Sequence, residues 1–128
     1  MNFSALEARI KRTNIKAITG SLYRDQKSEI VMSLNDNYKD ALLGIENNEN
    51  GFYTILGREK TYFYSYSGKS GEILNTELID VLSKNGMRLG KSGDFEFIEI
   101  NSTLLWMHNG ETMCALWNLL IFITSLDN

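Results

Sequence analysis

Met113-Cys-Ala-Leu-Trp-Asn-Leu-Leu-Ile-Phe-Ile123 is an apolar run broken only by Asn118, and the rest of the chain must cover whatever it becomes. A membrane span needs about 20 consecutive apolar residues. This run is shorter and passes into Thr124-Ser125-Leu126-Asp127-Asn128 with no basic anchor, so it predicts a buried element rather than a crossing. A run apolar on every side carries no phase, and periodicity does not separate helix from strand. Its length and the scarcity of β-branched residues before Ile121 favour a core helix. On that reading Met113, Leu116, Trp117 and Leu120 are buried and Cys114 is a small core hydrophobe. The competing reading makes Asn109-Gly110 a hairpin turn whose second arm is Glu111–Trp117.

Outward from that run, the composition sets bounds. A chain of 128 residues fits one domain, 1–128, that can bury a core without disulfides or a structural metal. Hydrophobic content of 43% with mixed charge excludes the disordered class. The single cysteine excludes an intrachain disulfide and a four-cysteine zinc site. Acid and base at Glu7 and Arg9 stand where a signal peptide needs an apolar stretch, which predicts a cytoplasmic protein. The net charge of −3 hides blocks: residues 1–27 carry +4, 28–57 carry −4, 58–91 carry +2, and 92–128 carry −5 with no Lys or Arg. Such blocks polarise a surface and bear on partners and association rates.

Ser4-Ala-Leu-Glu7 has capping-box spacing and starts a helix that ends near Asn14 or Gly20. Ser21–Lys27 reads as connection, Glu29–Leu34 as a short buried strand, and Asn35-Asp36 as the cap of a second helix with Tyr38, Ala41, Leu42 and Ile45 on its stripe. Glu46-Asn-Asn-Glu-Asn-Gly51 is then an exposed, mobile acidic loop. Gly51–Gly57 and Thr61–Tyr66 suit an antiparallel hairpin, its second strand presenting Tyr62, Tyr64 and Tyr66 on one face. Asn75-Thr76 caps a third helix that Lys84-Asn85-Gly86 stops, and Met87–Leu89 reads as a brief strand before a Gly90–Gly93 turn. Asp94–Ile100 alternates but changes phase at residues 97–98, which implies a bulge or a strand leaving cover and singles out Glu99 as a partly buried acid. Asn101–His108 is the last strand. The sum is an α+β domain, three to four helices on an antiparallel or mixed sheet of about five strands.

Chemistry-bearing patterns are sparse. The Gly-Lys-Ser triplets at 68–70 and 90–92 lack the upstream glycine of a phosphate-binding loop, since the required positions hold Phe63 and Asn85. His108 is the only histidine, which excludes a two-histidine mechanism, and a His108–Cys114 nucleophile pair has no third residue to orient it. Asp94 and Glu96 would lie roughly 7 Å apart on one strand face, a spacing that exposed acids share with catalytic pairs. Arg9, Lys11, Arg12 and Lys16 form a basic face without aromatic or glycine-rich companions, and a sequence pI of about 5.1 opposes nucleic-acid binding. No cofactor or metal is expected.

In type, the chain resembles the small acidic single-domain immunity proteins that bacteria carry beside polymorphic or contact-dependent toxins: motif-poor, α+β, with acidic loops and exposed aromatics. The resemblance has no signature motif and transfers no residue. It implies a non-catalytic protein-binding module that neutralises a cognate toxin domain, such as a basic nuclease, by occluding it. The alternative is a small enzyme or ligand-binding domain whose site is assembled only by folding. For the binding reading, complementary charge and aromatic anchors nominate Asp36, Asp40, Glu46, Glu49, Tyr62, Tyr64, Tyr66, Asp94 and Glu96 as contact residues.

Overall fold

Five short strands run next to one another in chain order, so most of the sheet forms from near neighbours in sequence. The computed structural model describes residues 3–66, 68–89 and 95–126. The strands are β1 (Tyr23–Arg24), β2 (Ala41–Glu46), β3 (Tyr53–Gly57), β4 (Lys60–Tyr64) and β5 (Gly71–Leu74), all antiparallel. A separate hairpin pairs β6 (Phe97–Ile100) with β7 (Thr103–Trp106). Its turn places Asn101 and Ser102 at φ 46 and 66, the double left-handed geometry a tight two-residue hairpin needs. The helices are α1 (Phe3–Thr13), α2 (Ile15–Thr19), α3 (Glu29–Asp36), α4 (Asn75–Leu89) and α5 (Gly110–Leu126).

The apolar run is indeed a helix, α5, and it lies at the centre of the core against α1, α2 and α4. Asn109 starts it as a cap rather than a hairpin turn, its side-chain oxygen accepting the Thr112 amide at 2.8 Å. Met113, Leu116, Leu119, Leu120 and Ile123 are buried. Cys114 is exposed, contrary to the expected core position, and Trp117 is only half-buried. The outward stripe is Cys114, Asn118 and Ile121 at four- and three-residue steps. Asn118 thus marked the solvent side of a run that otherwise carried no phase.

One sheet face, the inner one, meets α1, α2, α4, α5 and the hairpin through Leu43, Ile45, Leu56, Phe63 and Ile73. Thr54 and Ser65 also point inward, and their hydroxyls donate to the carbonyls of Trp106 and Leu104, which fastens β7 across the sheet. Among the described residues the outer face is covered by α3, where Val31 packs on Ala41, Ile55 and Tyr62.

Two expected elements are exchanged. Glu29–Leu34 is helix, not strand, because its apolar residues Ile30, Val31 and Leu34 form a single stripe with Glu29, Met32 and Ser33 exposed. Ala41–Ile45 is strand, not helix: β2 lies between β1 and β3 and is covered on both faces, so its residues are buried without alternation. Asn35 does not cap a second helix. It joins α3 to β2, its amide donating to the Ala41 carbonyl at 3.1 Å while its oxygen accepts the Ala41 amide at 2.8 Å.

Other boundaries moved less. α1 already includes Phe3 and Ser4, so Ser4 lies in the first turn instead of capping it, and the helix breaks at Asn14 with φ 60 before α2 continues. α4 runs through Lys84-Asn85-Gly86 to Leu89, so Met87–Leu89 is helix and not strand. Asn85 stays within the helical pattern by donating from its side chain to the Val81 carbonyl. The Gly90–Gly93 turn and Asp94 lie outside the described residues. The phase change near residue 97 has a structural counterpart at Glu96, whose carbonyl accepts the amides of both Met107 (2.7 Å) and His108 (3.2 Å), two residues facing one as in a bulge. From there Ile98 and Ile100 point inward and Glu99 is exposed, not partly buried.

Candidate functional site

The antiparallel order puts Tyr38, Asp40 and the β3–β4 turn at one end of the sheet and the Asn47–Gly51 loop with Tyr66 at the other, since Ala41 pairs with Gly57 and Glu46 with Tyr53. The ends are about 17 Å apart along β2. The nominated contact residues therefore do not form one patch. Asp36 and Asp40 are at the first end, Glu46, Glu49, Tyr64, Tyr66 and Glu96 at or near the second, and Tyr62 lies between, buried under α3.

At the second end the aromatics converge. Phe52 is buried and touches three rings: Tyr66 at 4.7 Å, Phe97 at 5.9 Å and Trp106 at 6.2 Å, all edge-on. Tyr66 also leans on Phe97 at 5.3 Å yet stays 71% exposed. The expected single face of three tyrosines fails here, because β4 ends at Tyr64 and Tyr66 turns towards the inner-face aromatics. Tyr64 instead stacks on Tyr53 across the strand pair at 6.1 Å. A largely exposed tyrosine already seated on the rings of Phe52 and Phe97 has less freedom left to lose on binding, which is how interface anchors work.

The acidic loop beside this cluster is held in shape. Gly51, at φ 77, donates to the Asn47 carbonyl, Asn47 donates to Phe52, and the side chains of Asn47 and Asn50 accept the amides of Glu49 and Phe52. Glu49 projects from it, exposed. Glu46 is half-buried and already occupied, its carboxylate 2.9 Å from Arg24 Nε, so it offers a partner less charge than its position in the sequence implied. Glu96 is exposed next to Phe97.

Elsewhere the chemistry is structural. Glu72 is held by Lys39 (2.8 Å) and Lys60 (2.9 Å), whose hydrogen bonds draw its carboxyl below the usual range. Tyr23 is pushed up to about 12, first by burial and then by the charges of Glu7 and Asp25. Arg9 lies 4.7 Å over the Phe122 ring and Lys16 lies 5.6 Å from Tyr23, so part of the basic face is packed on the protein's own aromatics. His108 sits against Trp106 at φ 72, while Cys114 is on the outward stripe of α5. Among the described residues, no group of three or more His, Cys, Asp or Glu is placed to hold a metal ion, and no helix is long and apolar enough to cross a membrane. An open cleft is lined by Lys84, Asn85, Glu99 and Asn101.

The sequence reading missed three residues, Phe52, Phe97 and Trp106, because each sits in an apolar stretch that reads as core. Their signal was positional: each stands at or beside a strand end, Phe52 next to the loop glycine Gly51 and Phe97 next to the acid Glu96. Comparison of the chain with family models, with curated proteins and with solved structures found no match.

Proposed function

We propose that this protein is a non-catalytic binding module of the immunity type, which neutralises a basic toxin domain in the cytoplasm by covering it. One observation carries the reading: an exposed tyrosine, Tyr66, is seated on the Phe52–Phe97–Trp106 base beside an acidic loop fixed by its own hydrogen bonds. Aromatic anchors slow dissociation, and surrounding carboxylates speed encounter with a basic surface.

The test is coexpression with the product of the adjacent reading frame, followed by binding kinetics on the purified pair. Tyr66→Ala with Phe97→Ala should raise the dissociation rate at least tenfold, the scale of a hot spot worth about 1.4 kcal/mol or more. Glu49→Lys should lower the association rate and flatten its dependence on salt. A complex indifferent to all three changes places the contact elsewhere, and no complex at all removes the reading.

A further inference from the structure

Helix α3 ends in a left-handed stop. The Leu34 carbonyl accepts the Lys39 amide at 3.2 Å and the Asn35 carbonyl accepts the Tyr38 amide at 3.1 Å, the paired bonds that close a helix when the residue between is left-handed. That residue is usually glycine, which has no Cβ to crowd the carbonyl. Here it is Tyr38, at φ 63. The ring is 99% exposed, so no packing offsets the unfavourable backbone. Asp36 and Asp40 flank it, both exposed, and neither takes part in an ion pair among the described residues. The intervening base is turned away: Lys39 binds Glu72 at 2.8 Å and lies 5.3 Å from the Tyr62 ring. The stop thus presents an exposed phenol ring with an exposed carboxylate two residues away on either side in the chain, while Lys39 is engaged by Glu72.

We propose that Tyr38, Asp36 and Asp40 form a docking point for a basic polypeptide segment, an arginine or lysine side chain lying on the ring with its charge shared between the carboxylates. A cation on an aromatic face is attracted by the ring's quadrupole, and the paired acids supply the charge complement. The site is at the opposite end of the sheet from Tyr66 and does not depend on that cluster.

The experiment titrates an oligo-arginine peptide into isotope-labelled protein and follows amide chemical shifts. The largest shifts should fall on residues 36–40. Tyr38→Gly should weaken binding about two- to fivefold, the size of an exposed cation–π contact, without lowering the thermal midpoint, because glycine relieves the left-handed backbone. Tyr38→Phe should bind as the parent does, and Asp36→Asn with Asp40→Asn should flatten the salt dependence. Shifts spread evenly over the acidic surface, or binding unchanged by Tyr38→Gly, overturn the proposal. So does a self-association in sedimentation that Tyr38→Gly abolishes, which would make a second copy of the chain the occupant. If the Tyr66 variants leave a toxin complex untouched while the peptide still shifts residues 36–40, the immunity reading loses its surface and this one stands.

Discussion

The two faces of the five-stranded sheet are built to different standards. The inner face is a continuous aliphatic and aromatic layer under four helices and a hairpin, whereas among the described residues the outer face is covered by eight-residue α3, through Val31 on Ala41, Ile55 and Tyr62. Beyond α3, the outer face shows the Tyr53–Tyr64 stack and the ion pairs Arg24–Glu46 and Lys39–Glu72–Lys60. Buried apolar area is what stabilises a domain of this size, so the inner face contributes most of the stability and the outer face less.

Substitution tests this division most strongly at Leu116, fully buried on α5. Leu116→Ala should cost about 2–5 kcal/mol in a denaturant melt, through lost transfer energy and the residual cavity. Val31→Ala on the outer side removes two carbons and should cost about 2 kcal/mol at most. Equal losses would end the claim that the faces differ. Gly44 joins the two regimes, because a Cβ there would stand 2.1 Å from the Thr54 carbonyl oxygen of the next strand. Gly44→Ala should therefore part β2 from β3 and cost about 1–3 kcal/mol, the usual range for overpacking, read in the same melts.

Titration gives finer tests. Tyr23 packs against the inner core, and its phenol is raised from 10.0 to about 12. A raised pKa means the folded state holds the proton more tightly, so its contribution is complete below pH 10.0 and is lost as the pH rises through about 12. Tyr23→Phe should remove that part of the alkaline loss in melts across this window. On the outer side Glu72 behaves in the opposite sense. Its carboxyl is lowered, so its contribution is present above the unfolded value and disappears as the pH falls through the folded one. Replacing Lys39 and Lys60 by Gln should return the Glu72 carboxyl towards its ordinary range by NMR titration, with the smallest stability change of the set, since exposed pairs contribute little.

The α+β class and the hairpin of β3 with β4 were legible because aromatic and β-branched residues flank a short polar turn. α5 was legible from length and apolarity, although not its orientation. The exchange at residues 29–46 was not legible for a physical reason: a strand covered on both faces, Ala41–Ile45, has neither period two nor period 3.6, and Leu42 with Ile45 mimics a helical step. Asn35 misled in the same way, since a residue that caps helices here mimics a strand neighbour with its amide. The candidate contact residues were legible as types but not as a surface. Nothing local tells that Glu46 will meet Arg24 across 22 positions, or that β4 ends before Tyr66. Tyr38 was least legible of all, because its backbone angle is set by where α3 stops and that boundary was read as the start of a helix.

The side chain of Arg9 reaches Asn118, 109 positions further along the chain, and α1 and α2 both rest on α5. Vectorial synthesis makes this consequential. While β1 to β5 can pair as each emerges, α1, α2 and α4 over their inner face all rest on α5, and a nascent chain must hold the layer above Leu43, Ile45, Leu56, Phe63 and Ile73 incomplete until Gly110–Leu126 has been made. Such a chain is a substrate for chaperones that bind exposed apolar strands, and a product interrupted before Gly110 would aggregate instead of folding to a smaller domain.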